Sequence, residues 1–291
     1  MDRIERVAFC GLGIMGGPMA ACLARAGFEL SVWTRTAEKG RRFAAEHGAR
    51  AAETPAEAAD GAEGLITMVP DSPEVESTLF GDDGAAAALG DGALTIDMST
   101  IAPTAAKAIG ERLAERGIDF VEAPVSGSRP KAEDGTLTIM AGGEDAAFER
   151  ALPLFEAMGE RIVHVGPPGH GQLAKLLTNT MGAVNAAALA EAVVTVKRAG
   201  VDPEAFLEVA AGSAGASTVL TLKGRPMFDE NFEPLFKLEH MLKDVRHCLA
   251  EARALGVELR MGALAETLYA RAAGEGHGGE DFAAVVTAAA G

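Results

Sequence analysis

The sequence predicts an α/β domain built on a doubly wound parallel sheet, followed by an all-α domain, with a long interdomain helix between them. In the first half of the 291-residue chain, short apolar runs alternate with alanine-rich helical stretches. The alternation stops at the turn cluster Gly166-Pro167-Pro168-Gly169, and a mostly apolar helical stretch, His170–Ala199, follows. We therefore expect an N-terminal domain over residues 1–166 and a C-terminal domain over residues 167–291.

The apolar runs of the first half are candidate strands because they are short and bounded by turn residues or helical stretches. They are Val7–Cys10, Leu30–Trp33, Leu65–Val69, Leu94–Met98, Phe120–Ala123, Leu137–Ala141 and Ile162–Val165. Helical segments besides His170–Ala199 include Pro18–Ala26, Ala37–His47, Thr104–Arg116, Pro203–Ala211, Glu239–Leu255, Leu259–Ala273 and, with a less regular pattern, Asp281–Ala289.

The first strand leads directly into a glycine motif, in which Gly11, Gly13 and Gly16 have G-x-G-x-x-G spacing. In a strand–turn–helix context the first glycine makes the turn, the second admits a phosphate, and the third lets the helix approach the strand. This context predicts a Rossmann-type dinucleotide site rather than a glycine turn without a ligand. The residues expected to bind the cofactor here are Gly11, Leu12, Gly13, Ile14, Met15 and Gly16.

The end of the second strand predicts which dinucleotide binds. An acidic residue at this position binds the ribose 2′-hydroxyl of NAD, but the sequence here is Thr34-Arg35-Thr36. A guanidinium group flanked by two hydroxyl groups suits a 2′-phosphate. We therefore expect NADP as the cofactor, with NADPH preferred over NADH. The alternative is that Arg35 is a solvated residue at the start of a helix.

Charge and composition argue against several other classes of protein. The net charge is −16, from 26 basic and 42 acidic residues, so neither nucleic acid nor an anionic membrane is an expected partner. The three cysteines lack metal-ligand spacing, and their odd number argues against a disulfide framework, so no metal is expected. The sequence shows no signal-peptide pattern, and its longest apolar stretch, Met181–Val196, is too short to span a membrane. We expect a cytoplasmic protein.

Two further stretches carry candidate chemistry. The turn Ser126-Gly127-Ser128 follows a strand, where its backbone N–H and hydroxyl groups suit a small carboxylate; the alternative is an ordinary turn. Lys175 and Asn179 are four residues apart and share one face of the long helix. A lysine on an apolar helix forms an ion pair, extends to solvent or takes part in catalysis, and the residues alone leave these options open.

A third stretch, Phe236–Asp244, is equally open. His240 and Asp244 are four residues apart, as are Glu239 and Lys243. Ordinary ion pairs on a helix surface explain this spacing as well as a functional role does.

Taken together, several motifs resemble the β-hydroxyacid dehydrogenase family over nearly the whole chain. They are Gly11–Ala20, Asp97–Thr100, Glu122–Gly127, the Gly169-x-Gly171-x-x-x-Lys175-x-x-x-Asn179 run and Lys243-Asp244. The resemblance implies that Lys175 is the catalytic lysine and that Ser126, Gly127 and Asn179 hold the substrate, next to Ser128 of the same turn. It also implies that Thr100 and Lys243 lie by the cofactor and that Val69 and Pro70 lie beside its ribose.

Within the family, the stretches Ser126-Gly127-Ser128-Arg129 and Thr34-Arg35-Thr36 are more similar to the glyoxylate/succinic semialdehyde reductases than to the hydroxyisobutyrate type. Thr178 stands where many members have a second asparagine. The resemblance implies reversible, NADPH-dependent reduction of a small aldehyde acid, such as glyoxylate or succinic semialdehyde, to its hydroxy acid. Alternatives are a 3-hydroxyisobutyrate or tartronate semialdehyde enzyme, an imine reductase and a catalytically silent binding module. We expect a homodimer or homotetramer.

Overall fold

The computed structural model describes residues 4–290, and contacts between residues divide the chain into two units, Met1–Lys175 and Leu176–Gly291. The first unit contains the sheet and the second is helical. The domain boundary expected near residue 166 stays a prediction. The strands are β1 Arg6–Cys10, β2 Glu29–Trp33, β3 Arg50–Ala51, β4 Gly64–Thr67, β5 Leu94–Asp97, β6 Asp119–Glu122, β7 Val125–Ser126, β8 Leu137–Gly143 and β9 Gly159–Gly166.

Up to β9 a helix separates each strand from the next except between β6 and β7, and after β9 the helices follow one another. They are α1 Gly16–Arg25, α2 Ala37–His47, α3 Pro55–Ala59, α4 Ser72–Phe80, α5 Pro103–Ala114, α6 Ser128–Asp134, α7 Asp145–Met158, α8 His170–Ala199, α9 Pro203–Ala211, α10 Thr218–Asp229, α11 Leu238–Ala254, α12 Arg260–Gly274 and α13 Val285–Ala289. Short 3₁₀ turns precede β5 and α13.

The sheet confirms the predicted doubly wound fold. Its first six strands are parallel and lie in the order β3-β2-β1-β4-β5-β6, which is the strand order of dinucleotide-binding folds. The strand order reverses direction between β1 and β4, because β1 pairs with both β2 and β4. In such sheets ligands bind beyond the carboxyl ends of the strands at this switch point, and the glycine motif follows β1 there.

The last three strands include antiparallel pairings, which the predicted doubly wound parallel sheet did not include. β8 runs antiparallel to β6 and to the short strand β7, and β9 runs parallel to β8. A parallel crossover needs a connection of a dozen or more residues, usually a helix, but only the seven-residue helix α6 lies between β7 and β8. The chain therefore doubles back, and the expected Ser126–Ser128 loop instead ends β7 and begins α6.

Both faces of the central strands β1, β4 and β5 are covered, which explains why these strands are continuous apolar runs. Neighbouring residues of β1 point to opposite faces: Val7 and Phe9 belong to one buried cluster, and Ala8 and Cys10 belong to another. The thiol of Cys10 is fully buried, and this burial raises its pKa to about 12. Cys10 is therefore a small side chain of the core.

The helical unit has a core of its own, built from α8 and the helices after it. Val193, Val245 and Tyr269 are among its fully buried residues. None of the described helices combines the length and the apolarity needed to cross a bilayer.

A buried ion pair fixes the segment that leads into α11. Asp281 and Lys223 have side chains only 3% and 5% exposed, and Lys223 Nζ lies 2.8 Å from Asp281 Oδ1. The backbone N–H groups of Leu235 and Phe236 donate to Asp281 Oδ2 over 3.0 and 3.2 Å. One carboxylate therefore ties α10 to the residues that precede α11.

Replacing Asp281 with asparagine should lower the free energy of unfolding of the helical unit by about 3–5 kcal/mol, because the Lys223 ammonium group stays buried without its counter-charge. The chain has one tyrosine, Tyr269, in this unit and one tryptophan, Trp33, in the other. Urea unfolding followed by tyrosine absorbance reports on the helical unit, and tryptophan fluorescence reports on the other unit. We expect the lower free energy of unfolding in the transition that tyrosine absorbance detects.

The matched control is Glu230→Gln, which breaks the exposed pair between Lys197 and Glu230 and should leave both transitions unchanged. The double variant Lys223→Met/Asp281→Asn should regain part of the loss, because no unpaired charge stays buried. If Asp281→Asn alone unfolds at the same urea concentration as the wild type in the tyrosine signal, the role given to this pair is contradicted.

Candidate active site

The glycine motif forms a tight turn between β1 and α1. Gly11 has φ +114°, a left-handed conformation, and a β-carbon there would collide with the carbonyl oxygen of Met68. A β-carbon at Gly16 would collide with the carbonyl oxygen of Gly11, so only glycine lets α1 begin this close to the strand. Gly13 is exposed and has open space in front of its α-carbon. The turn therefore has the geometry that a dinucleotide pyrophosphate requires.

A groove of about 520 Å³ lies beside this turn and is lined by residues of α1, α2 and α6. In a chain of net charge −16, its lining carries Lys39 and Arg42 of α2, and neither of them forms an ion pair within residues 4–290. Arg129 also lines the groove but is paired with Glu133 at 2.7 Å. The groove therefore presents cationic side chains beside the glycine turn.

The segment Thr34-Arg35-Thr36 follows β2 as predicted, and it lies outside the lining of this groove. Arg35 and Thr36 are exposed and Thr34 is half-buried. The Arg35 guanidinium group has no ion-pair partner in the described part of the chain, so it is accessible to an anion. Its role as a 2′-phosphate ligand stays a prediction.

Hydrogen bonds join the ends of β4 and β5. Thr67 Oγ1 and the Ser99 N–H both donate to Asp97 Oδ1, over 2.7 and 3.2 Å. The Val69 N–H donates to Ser99 Oγ over 3.0 Å. Thr67, Asp97 and Ser99 are fully buried, so this network holds Val69 and the residue after Ser99, the half-buried Thr100, in place at the strand ends.

The first turn of α8 is bonded to the same strand ends by two buried side chains. Gln172 Nε2 donates to the Ser99 carbonyl oxygen over 2.8 Å, and the Ile101 N–H donates to Gln172 Oε1 over 3.1 Å. The Gln172 N–H donates to Glu122 Oε1 over 3.2 Å. Burial raises the pKa of Glu122 to about 7, although the N–H groups of Gly171 and Gly169 that face it lower the pKa.

Lys175 is one turn further along α8 and is buried, with only 7% of its surface exposed. This burial excludes the alternative of a lysine that extends to solvent. Asn179 follows one turn later, and its Nδ2 donates to Asp244 Oδ2 over 2.6 Å within the helical unit. Asp244 is 1% exposed, and its Oδ1 lies 3.1 Å from Lys243 Nζ. The Lys243-Asp244 pair of α11 is thus connected to Asn179 of α8.

The Ser126-Gly127-Ser128 turn has an unusual backbone. Gly127 and Ser128 both have positive φ values, +146° and +56°, and such a value is costly for serine. Ser126 is exposed and Gly127 and Ser128 are half-buried, so the turn is accessible. Within residues 4–290, no three histidine, cysteine, aspartate or glutamate side chains are placed to hold a metal ion.

The structure places some of the predicted residues at the ends of adjacent strands, and it shows further buried residues that bond to them. Gly11, Val69 and Thr100 follow adjacent strands, because β1 pairs with β4 and β4 with β5. Three buried side chains with no assigned role in the sequence analysis, Gln172, Glu122 and Asp244, bond to the predicted residues or to their neighbours. A polar side chain at an otherwise apolar position was the available signal for Gln172, but spacing alone did not reveal its partners.

Comparisons with known proteins cover both parts of the chain. Residues 6–166 match the NAD binding domain of 6-phosphogluconate dehydrogenase, and residues 169–289 match the NAD-binding domain of NADP-dependent 3-hydroxyisobutyrate dehydrogenase. The chain is 38% identical to 2-hydroxy-3-oxopropionate reductase of Escherichia coli, over 97% of this chain and 96% of that protein. It is 35% identical to glyoxylate/succinic semialdehyde reductase 1 of Arabidopsis thaliana, over 97% of each.

The structural comparison agrees. A solved structure of the 3-hydroxyisobutyrate dehydrogenase of Mycobacterium tuberculosis with L-serine is 31% identical to this chain. The match covers 98% of each chain and has a TM-score of 0.88. The glycine turn, the strand order and these matches lead to one conclusion. The chain belongs to the β-hydroxyacid dehydrogenase family and is an NAD(P)-dependent oxidoreductase that acts on CH–OH groups.

Proposed function

We propose that this protein uses NADPH to reduce a small aldehyde acid, glyoxylate or succinic semialdehyde, to its hydroxy acid, and that the reaction is reversible. The observation that carries the proposal is the buried Lys175, one turn into a helix that is bonded to the strand ends of a dinucleotide-binding sheet. Relatives that reduce aldehyde acids support the substrate class by their names.

In this proposal Lys175 is the general acid. Bound NADPH supplies the hydride that reduces the carbonyl carbon. Negative charge grows on the carbonyl oxygen during reduction, and the Lys175 ammonium group stabilises it and donates a proton. An ammonium group is the ordinary form of lysine at neutral pH, which favours the direction of reduction. In the reverse direction the neutral amine accepts the proton of the hydroxyl group.

We propose that the remaining predicted residues bind and orient the substrate and the cofactor. We propose that the accessible Ser126-Gly127-Ser128 turn holds the substrate carboxylate and that Asn179, on the same face of α8 as Lys175, binds its carboxylate or hydroxyl group. The glycine turn, the Thr34-Arg35-Thr36 segment, Val69, Pro70, Thr100 and Lys243 are proposed to bind the cofactor.

Two alternatives make different predictions. A 3-hydroxyisobutyrate or tartronate semialdehyde enzyme would share this machinery and differ in the substrate side chain. Two relatives and two structural neighbours have such activities in their names. A cyclic-imine reductase would have no need of a buried lysine acid at residue 175.

We also propose a homodimer or homotetramer, because Met181 and Leu264 of the helical unit are 66% and 63% exposed.

A substrate panel tests the function directly. We expect NADPH oxidation, followed by its absorbance, with glyoxylate or succinic semialdehyde, and weaker oxidation with tartronate semialdehyde and methylmalonate semialdehyde. Turnover restricted to either of the latter two would replace the proposed substrate and keep the reaction class. Turnover of cyclic imines alone would contradict the proposed reaction.

Lys175→Ala should lower kcat by about 10²–10⁴-fold, since this is the usual contribution of a positioned acid–base group. The affinity for NADPH, measured by quenching of the single tryptophan or by calorimetry, should change little. The matched control is Lys197→Ala on the same helix, whose side chain pairs with Glu230 at the surface. If Lys175→Ala kept wild-type turnover, the role of this lysine would be wrong.

Arg35→Ala tests the cofactor preference. Loss of a charge-assisted hydrogen bond should lower kcat/KM for NADPH by about ten- to a hundredfold while kcat/KM for NADH stays nearly constant. Arg161→Ala is the control, because this exposed arginine lies on β9, far from β2 in the strand order of the sheet. A wild-type protein that prefers NADH, or an Arg35 variant that loses both cofactors equally, would reject the assignment.

A further inference from the structure

Gln172 occupies an unusual place for a polar side chain. It is fully buried, and its amide bonds to the backbone on both sides of Thr100, to the Ser99 carbonyl oxygen at 2.8 Å and to the Ile101 N–H at 3.1 Å. An amide has one acceptor and two donor hydrogens, so this geometry uses both of its ends. Gln172 therefore holds a three-residue segment, 99–101, against the first turn of α8.

Glu122 holds the same turn from the other side. It is fully buried at the end of β6, and the Gln172 N–H donates to its Oε1 over 3.2 Å. Gly142 of β8 makes room for this contact, because a β-carbon there would lie 2.5 Å from Glu122 Oε1 and 2.9 Å from the Gly171 nitrogen. A carboxyl oxygen from the sheet thus caps the start of α8, a place where backbone N–H groups lack partners within the helix.

These bonds are continuous with the network at the strand ends. Ser99, whose carbonyl oxygen accepts from Gln172, also donates its N–H to Asp97 Oδ1 and accepts the Val69 N–H at its hydroxyl oxygen. The residues after β4 and β5 are therefore connected, bond by bond, to residue 172, three residues before Lys175. An apolar side chain of similar size would fill the same space, but it would not fix the register between α8 and residues 99–101.

We propose that Gln172, supported by Glu122, is a positioning residue that fixes the distance from Lys175 to the strand end carrying Thr100. The inference rests on the proposed function, in which Lys175 donates the proton. Gln172 itself does not touch the reacting atoms in this account. It acts through the first turn of α8, and its loss lets this turn shift relative to residues 99–101.

A double-mutant cycle tests the proposal. Gln172→Met should lower kcat by about ten- to a hundredfold, the cost of a small displacement of a catalytic group, with little change in KM for the aldehyde acid. In the Lys175→Ala background the same substitution should cause no further loss, because the group that it misplaces is already absent. Leu113→Ala, a core truncation in α5, is the control for lowered stability and should not lower kcat of the folded protein on either background.

Conservative and drastic changes at Glu122 give a second series. Glu122→Gln keeps an oxygen that can accept the Gln172 N–H, so it should retain most of the wild-type kcat. Glu122→Leu removes this acceptor and should lower kcat as Gln172→Met does. This series also serves if the methionine variant does not fold.

A third readout needs no turnover. Gln172 is the only glutamine of the chain, so labelling with side-chain nitrogen-15 glutamine shows a single amide group, as one pair of N–H signals, in the protein without cofactor. We expect this amide to exchange slowly with water and to be lost to fast exchange in Glu122→Leu. A fast-exchanging amide in the wild type would overturn the proposal.

The outcomes separate the two claims. If Lys175→Ala keeps wild-type turnover, the proposed function fails. If Lys175→Ala is impaired while Gln172→Met turns over normally, or loses the same factor on both backgrounds, the positioning role fails and the proposed function stands.

Discussion

The hydrogen bonds that fix the first turn of α8 against the sheet are the constraint on which the rest of the site depends. In the proposed function, Lys175 acts only if its ammonium group is held where negative charge develops on the substrate. A lysine side chain has four rotatable bonds and a mobile end, so it needs positioning. The structure reduces this freedom by burying the residue and by bonding the turn before it to Ser99, Ile101 and Glu122. Polar side chains supply directed bonds here, where apolar contacts alone would allow sliding.

The same constraint explains the glycines and charges around the site. Gly171 and Gly142 let α8 and β8 approach so closely that Glu122 reaches the helix start, while Gly11 and Gly16 do the same for α1. Burial makes the carboxyl group of Glu122 harder to ionise, and the backbone N–H groups that face it partly offset this effect. Two helices thus begin close to the carboxyl ends of the strands, where we propose that the cofactor and the proton donor lie.

Long periodic elements could be predicted from the sequence, and irregular ones could not. Ala37–His47, His170–Ala199 and Pro203–Ala211 have the predicted bounds, because their patterns run over several turns. β3 and β7 contain two residues each, too few to show a period. Pro153 and Pro226 lie inside α7 and α10, and a proline in this position argues against a helix in the sequence. At the site, fixed motifs identified the glycine turn and the Lys243-Asp244 pair. The bonding partners of Gln172 and Asp244 lie in distant segments, and no local pattern encodes such contacts.

The most direct test of this account is a crystal structure of the protein with NADP⁺ and the hydroxy acid product of its best substrate. The account predicts Lys175 Nζ within hydrogen-bond distance of the product hydroxyl oxygen, about 2.6–3.2 Å, with the Gln172 bonds to residues 99 and 101 intact. A Lys175 ammonium group turned to bulk water, with another side chain against that hydroxyl group, would contradict it.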